Sequence, residues 1–571
     1  MVLDFDRLPP HYRVYQLQNP ARLVVDLPAC GFDQSAARGK DYKDSLVQGW
    51  RLVKENFRRA RMEVALHYEV PPENIKVMLL KDESPQRLVI DVEKCFYRAG
   101  ESAVTSDVRW KWVERATREG YALINELVLD PAKGNASLRL ALANDNNTSR
   151  EKTTAMRKRL DALAAVNGGF FSTKGGALGL VYNEGKVIAG PVSTRPPRTV
   201  LAVMENKKVL FEKLVVRDNT LLTLEGRPLR KVDFALGGGP RLIRDGTVDV
   251  TADEEGLGKS GNDITRRAGR TAFALDRRGH LHIYTVTGFS ESHNAGMKLE
   301  ELALYLKEHS MVQAMCVDGG NSSVMDIMGY DVSRGAGNRN PERPVGNGIL
   351  LVDSSPRLLP YQFEEVRCSP ESIPADGKSF AELSVKVKDG KGKTVPDGTV
   401  VRFRASRGVI APWVSTRNGV AKNRLHSAGF PGKATVEIEC GLGGPEPLFV
   451  EFLPGSLAEF HVKASPLKGT LKEKKPSGSD ADGEAPLQAS DSACTVEVIT
   501  EDQYRNLLPG VEVQFDVLER DTLKASRKLM TEGKGSALVQ LGGLQEGMTL
   551  KVTCGGLPPR TYRLSAEEIE D

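Results

Sequence analysis

A short stretch near the middle of the chain has the residue types of an active-site turn. The apolar residues 314–317 end abruptly at Asp318, which is followed by Gly319, Gly320 and three small polar residues. This order predicts a buried strand that delivers a carboxylate to the edge of a sheet, where it can activate water or act as a nucleophile. Adjacent glycines let the backbone approach a ligand closely, because no Cβ intervenes. The alternative is an ordinary Asp-Gly-Gly turn that ends a strand.

A second turn of the same kind lies earlier in the chain. The small apolar residues 164–166 run into Asn167, which is followed by Gly168, Gly169 and two phenylalanines. Two polar residues at the ends of buried strands, each with a glycine pair, carry more weight together than either turn alone.

Metal ligation is not predicted from these residue types. The seven cysteines are spread singly and show no Cys-x-x-Cys pair, so a structural zinc site is not expected. His280 and His282 alternate along one predicted strand, but no third ligand follows at a suitable spacing. No cofactor is therefore predicted, and a divalent metal is left open.

The size and composition are those of a multidomain globular protein. A chain of 571 residues is expected to form roughly three to five domains. The net charge of +4 is dispersed, which gives no case for nucleic-acid binding. No apolar run approaches the roughly 20 residues that a membrane-spanning helix needs. The N-terminus lacks the basic and then apolar pattern of a signal peptide, so we expect either a cytosolic protein or one whose targeting segment has been removed.

Residues 1–98 predict a small all-β module with an internal repeat. The phrase Pro20-Ala-Arg-Leu-Val-Val-Asp-Leu recurs as Pro85-Gln-Arg-Leu-Val-Ile-Asp-Val, and both copies have strand-like patterning. Residues 99–118 are charged and irregular, which predicts a linker whose tryptophans Trp110 and Trp112 dock on a neighbouring part of the chain.

Residues 119–355 predict the α+β domain that holds both turns. Apolar residues at 299, 302, 303 and 306 have helical spacing and lead directly into the strand before Asp318. From residue 357 the periodicity becomes purely β, with short strands between glycine and proline turns. This pattern predicts two Ig-like sandwiches, at 357–455 and 457–571, with a flexible loop at 472–491 in the second.

Six phrases occur in a fixed order between residues 119 and 355. They are Asn167-Gly-Gly-Phe-Phe, Gly238-Gly-Pro-Arg-Leu-Ile-Arg-Asp-Gly, Gly269-Arg-Thr-Ala-Phe-Ala-Leu-Asp, Asn294-Ala-Gly-Met-Lys-Leu-Glu-Glu-Leu-Ala, Asp318-Gly-Gly-Asn-Ser-Ser and Arg343-Pro-Val-Gly-Asn-Gly. The ordered set resembles the phosphodiester glycosidase family, typified by the enzyme that removes N-acetylglucosamine from its phosphodiester with mannose 6-phosphate. The chain departs from the family pattern at Ala268-Gly269, where the family often has His-Pro, and at Asn321. Both departures bear on the substrate more than on the fold.

The resemblance implies a hydrolase that cleaves the bond between sugar C1 and a phosphate oxygen, as an N-acetylglucosaminidase of this family does. Because a phosphomonoester is a good leaving group, a strong general acid is less needed than in ordinary glycosidases. The implied catalytic residues are Asp318 as base or nucleophile, Arg270 as the phosphate-binding fork and His293 as a general acid or base. A purely structural ion pair for Arg270 stays open.

The same resemblance implies the substrate contacts. Backbone N–H groups of the paired glycines would add to the phosphate site, and asparagine amides suit sugar hydroxyls because each offers a donor and an acceptor. The implied substrate-binding residues are Asn167, Gly168, Gly169, Gly319, Gly320, Asn321, Ser322, Ser323 and Asn347.

The flanking regions resemble modules of bacterial envelope proteins. The phrase Arg22-Leu-Val-Val-Asp-Leu, with Arg61-Met-Glu-Val-Ala-Leu, resembles the amidase N-terminal (AMIN) domain, which implies peptidoglycan binding. Residues 374–377 and 396–403 are similar to invasin-type bacterial Ig-like domains. Together they imply a periplasmic or secreted protein that meets a cell-envelope glycan or peptidoglycan and hydrolyses a carbohydrate phosphodiester there. The alternatives are a non-catalytic glycan-binding protein on the same scaffold and an enzyme for a different linkage.

Overall fold

The computed structural model describes residues 1–9, 11–17, 20–28, 30, 40–41, 44–56, 58–132, 135–190, 196–258, 264, 266–287, 295–333, 341–469, 492–533, 535–565 and 567–570. Within these ranges the chain is mostly β-structure, with only two α-helices. The predicted flexible loop 472–491 and the predicted catalytic residue His293 lie outside them. No helix in the described part of the chain is long and apolar enough to cross a membrane.

The N-terminal strands form two antiparallel sheets around one core. Both copies of the repeated phrase are strands, as predicted, and each belongs to a different sheet. Alternate side chains of each strand point into one shared hydrophobic cluster. From the first copy these are Leu23, Val25 and Leu27, and from the second they are Leu88 and Ile90. The strands are β1 (Val2–Phe5), β2 (Arg13–Leu17), β3 (Arg22–Pro28), β4 (Lys40–Asp41), β5 (Val47–Asn56), β6 (Arg59–Leu66), β7 (Ile75–Leu80) and β8 (Gln86–Val92). The sheet orders are β1-β8-β7 and β2-β3-β6-β5-β4.

Three further sheets make up the central region. Its strands are β9 (Phe96–Ala103), β10 (Val108–Ala116), β11 (Tyr121–Leu129), β12 (Ser137–Leu142), β13 (Ala164–Asn167), β14 (Val181–Asn183), β15 (Lys186–Ala189), β16 (Thr199–Met204), β17 (Val209–Arg217), β18 (Thr220–Thr223), β19 (Val232–Gly237), β20 (Arg241–Arg244), β21 (Thr247–Val248), β22 (Arg270–Asp276), β23 (Leu281–Thr287), β24 (Met311–Cys316), β25 (Met325–Ile327), β26 (Tyr330–Asp331) and β27 (Asn347–Val352). Their orders, for the described strands, are β21-β20-β24-β22-β23-β11-β10-β9, β12-β27-β13-β25-β26 and β15-β14-β19-β16-β17-β18.

The predicted linker at 99–118 is wrong, because these residues belong to two strands of the largest central sheet. β9 and β10 pair in antiparallel register along their length, with Trp112 opposite Gly100. Exposed and buried residues alternate in these strands; Arg109, for example, is exposed and Val108 beside it is buried. The many charged residues made this strand pattern hard to see in the sequence. Both tryptophans do pack on neighbours, as expected. Trp110 donates to Asn125, and Trp112 stacks on Trp413.

The two helices cover the central sheets. α1 (Thr153–Arg159) packs on β13 and β27, and α2 (Leu299–Glu308) packs on β20 and β24. The α2 helix begins where the backbone N–H of Lys298 donates to the Glu301 carboxylate, and its apolar spacing buries Leu302 and Leu306. The expected α+β character is thus only partly confirmed, because these helices are short and β-structure dominates.

The largest sheet buries both of its faces, and this arrangement positions the site. On one face Ala272 and Cys316 pack in the same cluster as α2. On the other face Phe273 and Met315 pack in a core with Val166 of β13. Burial of a side chain such as Phe273 contributes about 1.5–3 kcal/mol. The packing brings together the C-terminal ends of β13 and β24, which carry the two predicted turns.

The C-terminal strands form two successive pairs of facing sheets. The strands are β28 (Gln362–Ser369), β29 (Ser372–Pro374), β30 (Phe380–Lys388), β31 (Val400–Ala405), β32 (Val409–Ile410), β33 (Trp413–Ser415), β34 (Val420–His426), β35 (Gly432–Cys440), β36 (Gly443–Leu453), β37 (Leu457–Ala464), β38 (Lys468–Gly469), β39 (Ser492–Asp502), β40 (Glu512–Glu519), β41 (Thr522–Met530), β42 (Ser536–Leu544), β43 (Thr549–Cys554), β44 (Arg560–Arg563) and β45 (Ile569–Glu570). The first pair has orders β28-β30-β34-β32 and β29-β36-β35-β31-β33. The second has β38-β39-β37-β45, with β42 on β39, and β41-β40-β43-β44. Alternating residues bury a core between the sheets of each pair, which is the arrangement of a sandwich.

Candidate active site

Asp318 lies two residues beyond the C-terminal end of β24, in the turn that the sequence predicts. Its backbone N–H donates to the Gly168 carbonyl at 3.1 Å, which ties the two predicted turns directly together. Its backbone carbonyl accepts from Asn167 Nδ2 at 2.7 Å. The chain then forms a short 3₁₀ turn, Gly320–Ser322. Gly320 has φ of +63°, a left-handed conformation that glycine adopts at little cost.

The environment of the Asp318 carboxyl group sets its acidity. Burial raises the pKa of Asp318 to about 6, because the charged form loses hydration, and a hydrogen bond from Ser322, the Arg343 charge and the Gly319 N–H only partly offset this effect. The Gly319 N–H donates to Asp318 Oδ1 at 3.0 Å. A carboxylate of this acidity is ionised at neutral pH and can still accept a proton from water during a reaction.

Arg343 is the cation beside this carboxylate, and sequence reasoning did not select it. Its side chain is exposed, and its Nη1 donates to Ser322 Oγ at 3.3 Å. The guanidinium also lies 5.2 Å from the centre of the Phe171 ring. The signal was present, since Arg343 opens the phrase that contains Asn347, but only the fold shows that this phrase meets the Asp318 turn.

The Asn167 side chain is hydrogen-bonded inside the protein and is not an exposed sugar ligand. Its side chain is fully buried. Besides the bond to Asp318, its Oδ1 accepts from Thr271 Oγ1 at 2.6 Å and from the Val324 N–H at 3.2 Å. The amide is therefore occupied by the protein, and it joins β13 to β22 and to the segment after the 3₁₀ turn.

The paired glycines allow close packing, and their N–H groups are already used. Gly168 N–H donates to the Asn347 carbonyl at 3.0 Å and Gly169 N–H donates to Asn347 Oδ1 at 2.7 Å. Gly320 N–H donates to the Gly269 carbonyl at 2.8 Å, and Gly319 N–H is bonded to Asp318. The predicted cradle of free glycine N–H groups is therefore not present in this structure.

The glycines are instead required because neighbouring backbones touch. A Cβ at Gly168 would lie 2.1 Å from Asn347 Oδ1, and one at Gly169 would lie 2.4 Å from the Gly237 carbonyl oxygen. A Cβ at Gly269 would lie 2.6 Å from the Gly320 carbonyl oxygen. Because glycine occupies these positions, the backbones at the ends of β13, β19, β22 and β24 can approach one another closely.

Two buried donors near the turn have no partner in the described ranges. Asn347 Nδ2 and Ser323 Oγ are buried and make no hydrogen bond to any described residue. Leaving a buried polar group unpaired costs about 1–3 kcal/mol. Asn321 differs from these two buried groups, because its side chain is exposed on the 3₁₀ turn.

The Arg270 backbone lies beside Gly319, and its side chain is bonded to loop backbones. It is buried at the start of β22, where its Nε donates to the Met297 carbonyl at 3.0 Å and its Nη2 donates to the Arg266 carbonyl. Successive side chains of a strand point to opposite faces. Thr271 faces Asn167, so Arg270 points to the face covered by α2. Its guanidinium holds two loop backbones, and its role as the phosphate-binding fork stays a prediction.

The histidines considered as metal ligands belong to a separate ion-pair network. His282 Nδ1 lies 2.6 Å from a Glu126 oxygen, and His280 Nδ1 lies 3.0 Å from Asp276 Oδ2. Over the described ranges, no group of three or more His, Cys, Asp or Glu side chains is arranged to hold a metal ion.

Comparison with known proteins finds one family that is similar to part of the chain. Residues 161–352, about a third of the chain, match the phosphodiester glycosidase family. No curated protein matches the chain in sequence.

Three solved structures are similar to parts of this chain. A hypothetical protein from Synechocystis is 17% identical, with 61% of this chain and 77% of that chain covered and a TM-score of 0.36. The catalytic domain of zebrafish N-acetylglucosamine-1-phosphodiester alpha-N-acetylglucosaminidase, auto-inhibited by its pro-peptide, is 20% identical, with 49% and 88% covered and a TM-score of 0.34. The Yersinia pseudotuberculosis adhesin InvE is 15% identical, with 35% and 57% covered and a TM-score of 0.23. Both glycine turns, Asp318 and Asn347 lie within the segment that matches the phosphodiester glycosidase family, which is a family of hydrolases.

Proposed function

We propose that the protein hydrolyses a sugar-1-phosphodiester, and that Asp318 is the catalytic carboxylate. The observation that carries the proposal is the Asp318 carboxyl group itself, which is held by Ser322 and Gly319 within the electrostatic reach of Arg343. A carboxylate beside an accessible cation provides one group for the sugar carbon and one for the phosphate. This pairing is what cleavage of a C1–O–phosphate linkage requires.

In the reaction, the bond between C1 and the phosphate oxygen breaks and the phosphomonoester leaves with the bonding electrons. The new bond to C1 comes either from water, whose proton passes to Asp318, or from Asp318 itself, with water releasing the sugar in a second step. Arg343 balances the negative charge of the leaving phosphate through its guanidinium fork. Asn347 Nδ2 and Ser323 Oγ donate to sugar or phosphate oxygens.

We further propose the setting of this activity. The central region is the catalytic domain, the N-terminal module and the two sandwiches are its flanking domains, and the substrate is a glycan of the cell envelope or the extracellular space. The resemblance of residues 1–98 to AMIN modules and of the sandwiches to invasin-type domains supports a periplasmic or secreted location and a peptidoglycan partner.

The test is release of free sugar from a panel of sugar-1-phosphodiesters that includes an N-acetylglucosamine derivative. The wild type should release sugar, and Asp318→Asn should release none. Asp276→Asn is the matched control, because Asp276 is the last residue of β22 in the same sheet, and its carboxylate contacts the turn amides of Arg278 and His280 and the His280 ring. It should keep wild-type activity.

Each other outcome bears on a different part of the proposal. Sugar release that persists in Asp318→Asn removes that residue from its role but keeps the reaction class. A folded wild type that turns over no member of the panel and still binds envelope glycan supports the non-catalytic alternative.

A further inference from the structure

The Arg343 guanidinium is held by contacts on two sides. On one side its Nη1 donates to Ser322 Oγ at 3.3 Å. On the other side it lies over the Phe171 ring, 5.2 Å from the ring centre, which is the spacing of a cation–π contact. Ser322 belongs to the turn that follows Asp318, whereas Phe171 ends the phrase that begins at Asn167. The two glycine turns of the site therefore supply one contact each.

Two contacts are few for a side chain as long and as exposed as that of Arg343. None of the residues that the structure describes forms a salt bridge with it. Arg157 of α1, by contrast, lies 2.9 Å from the Asp326 carboxylate. An exposed arginine without a salt bridge has many rotamers, and ordering it for a ligand costs entropy. A contact that orders the side chain in advance therefore strengthens binding.

The chain is anchored on both sides of Arg343. The Glu342 carboxylate accepts from Thr154 Oγ1 at 2.6 Å, and Val345 exchanges two backbone hydrogen bonds of 2.9 Å with Glu151. The Cα of Arg343 is thus fixed, and the direction of the guanidinium depends on the contacts of the side chain.

The Phe171 ring is a fixed surface for this guanidinium. It is half-buried and packs against a hydrophobic cluster that includes Met156 and Val345. Gly346 lets the chain pass close to it, since a Cβ there would lie 2.9 Å from the Phe171 Cβ. The core thus holds the ring, and the ring offers its negative face to the Arg343 cation.

We propose that Phe171 is a positioning residue for the phosphate of the substrate, acting through Arg343. The ring holds the guanidinium beside Asp318, so that a phosphate on sugar C1 meets a fork that is already ordered. Phe171 thereby sets the preference of the site for a phosphate over an uncharged leaving group. The role rests on the proposed function, in which Arg343 binds the leaving phosphate.

Phe170 provides a matched comparison in the same phrase. The Arg198 guanidinium lies 5.1 Å from the centre of its ring, and the Arg198 Nη1 donates to the Leu178 carbonyl at 3.3 Å. Both phenylalanines are half-buried. Replacing either by leucine removes a cation–π contact, but only the contact of Phe171 involves Arg343.

The test is calorimetric titration of the full-length protein with the 1-phosphates of the sugars in the substrate panel, and with the same sugars without phosphate. The wild type should bind at least one sugar 1-phosphate more tightly than the free sugar. Phe171→Leu should weaken binding of that phosphate about twofold to fivefold, as expected for one exposed cation–π contact, and leave binding of the free sugar unchanged. Phe170→Leu should bind both ligands like the wild type, and Phe171→Tyr, which keeps a ring, should bind the phosphate nearly as well as the wild type.

A double-mutant cycle separates positioning from a general effect on the structure. In the Arg343→Ala background, Phe171→Leu should cause no further loss of phosphate binding, because the group that it positions is gone. A loss of the same size in both backgrounds would show a merely structural role and overturn the proposal. Phe171→Met takes the place of Phe171→Leu if the leucine variant is unfolded in a melting curve, since methionine adapts to irregular packing.

Binding and turnover together separate the positioning role from the proposed function. A wild type that cleaves no phosphodiester, but binds a sugar 1-phosphate with the expected dependence on Phe171, would refute the hydrolysis and support the role of Phe171. If the wild type does cleave a phosphodiester, Phe171→Leu should raise KM and leave kcat unchanged. An unchanged KM, or no binding of any sugar 1-phosphate by the wild type, would overturn the proposal.

Discussion

Replacing Asp318 with asparagine should stabilise the protein at neutral pH while removing its activity. Burial raises the pKa of Asp318 from its ordinary value of 3.8 to about 6. The folded state therefore binds this proton more tightly than the unfolded state does, and ionisation of Asp318 opposes folding. Asparagine keeps the shape and the acceptor for the Gly319 N–H but carries no charge, so it avoids this cost.

The magnitude follows from the two pKa values. Each pKa unit corresponds to about 1.4 kcal/mol, so the full difference corresponds to about 3 kcal/mol. Because part of Asp318 remains accessible to solvent, which screens the effect, we expect about 1–3 kcal/mol. For a domain of this size that is a rise in melting temperature of roughly 2–4 °C per kcal/mol.

The pH dependence identifies the cause. The favourable contribution of protonated Asp318 is complete below pH 3.8 and is lost as the pH rises through about 6. In differential scanning calorimetry, the advantage of Asp318→Asn over the wild type should therefore be absent near pH 3.5, grow between pH 4 and 6, and stay constant above pH 7.

Asp276 provides a control of opposite sign. Burial acts to raise its pKa, but the amides of His280 and Arg278 hydrogen-bond to its carboxylate and, with the charges of His280 and His282, leave the pKa below the ordinary value. Asp276→Asn should therefore destabilise the protein at neutral pH, and this loss should shrink as the pH falls. An Asp318→Asn variant that is no more stable than the wild type at pH 7.5, or whose advantage does not change between pH 4 and 7, would refute the reasoning.

Three more predictions concern the same site. The kcat/KM for a sugar-1-phosphodiester should fall about tenfold per pH unit below pH 6, as protonation of Asp318 removes the ionised carboxylate; a profile that is flat from pH 4 to 7 would contradict this. Arg343→Ala should raise KM for the phosphodiester about tenfold to hundredfold and leave an uncharged aryl glycoside unaffected, because only the former carries a phosphate for the guanidinium. Gly168→Ala should lower the melting temperature and activity, since its Cβ would lie 2.1 Å from a buried amide oxygen, at a cost of about 1–3 kcal/mol. In Gly190→Ala the added Cβ would have no described atom within 4 Å, so this variant should behave like the wild type in the same measurements.

The β-strands of the central region were predictable because their signals are local. Apolar runs ending at Asn167 and Asp318 predicted strands that stop at the sheet edge, and β13 and β24 end there. The helical spacing from residue 299 likewise predicted α2. The prediction of a linker at 99–118 was wrong because apolar residues of this segment become buried only when β9 and β10 pair. The sequence does not show that pairing.

The hydrogen-bond partners at the site were not predictable from the sequence. Glycine N–H groups that look available for a phosphate are used by Asn347 and Gly269, whose carbonyl and amide oxygens reach them through long-range packing. An arginine at the start of a strand is as free to point to one sheet face as to the other, and only the fold shows that the Arg270 guanidinium donates to the Met297 carbonyl.

The sequence by itself determined which residues end the buried strands and which turns contain a glycine pair. These features depend on residues that are close together in the chain. Only the tertiary structure decided that Asp318 shares its environment with Ser322 and Arg343, that the Asn167 side chain is bonded inside the protein, and that Trp112 stacks on Trp413. These contacts join residues far apart in the chain, and their geometry comes from the packing of whole sheets.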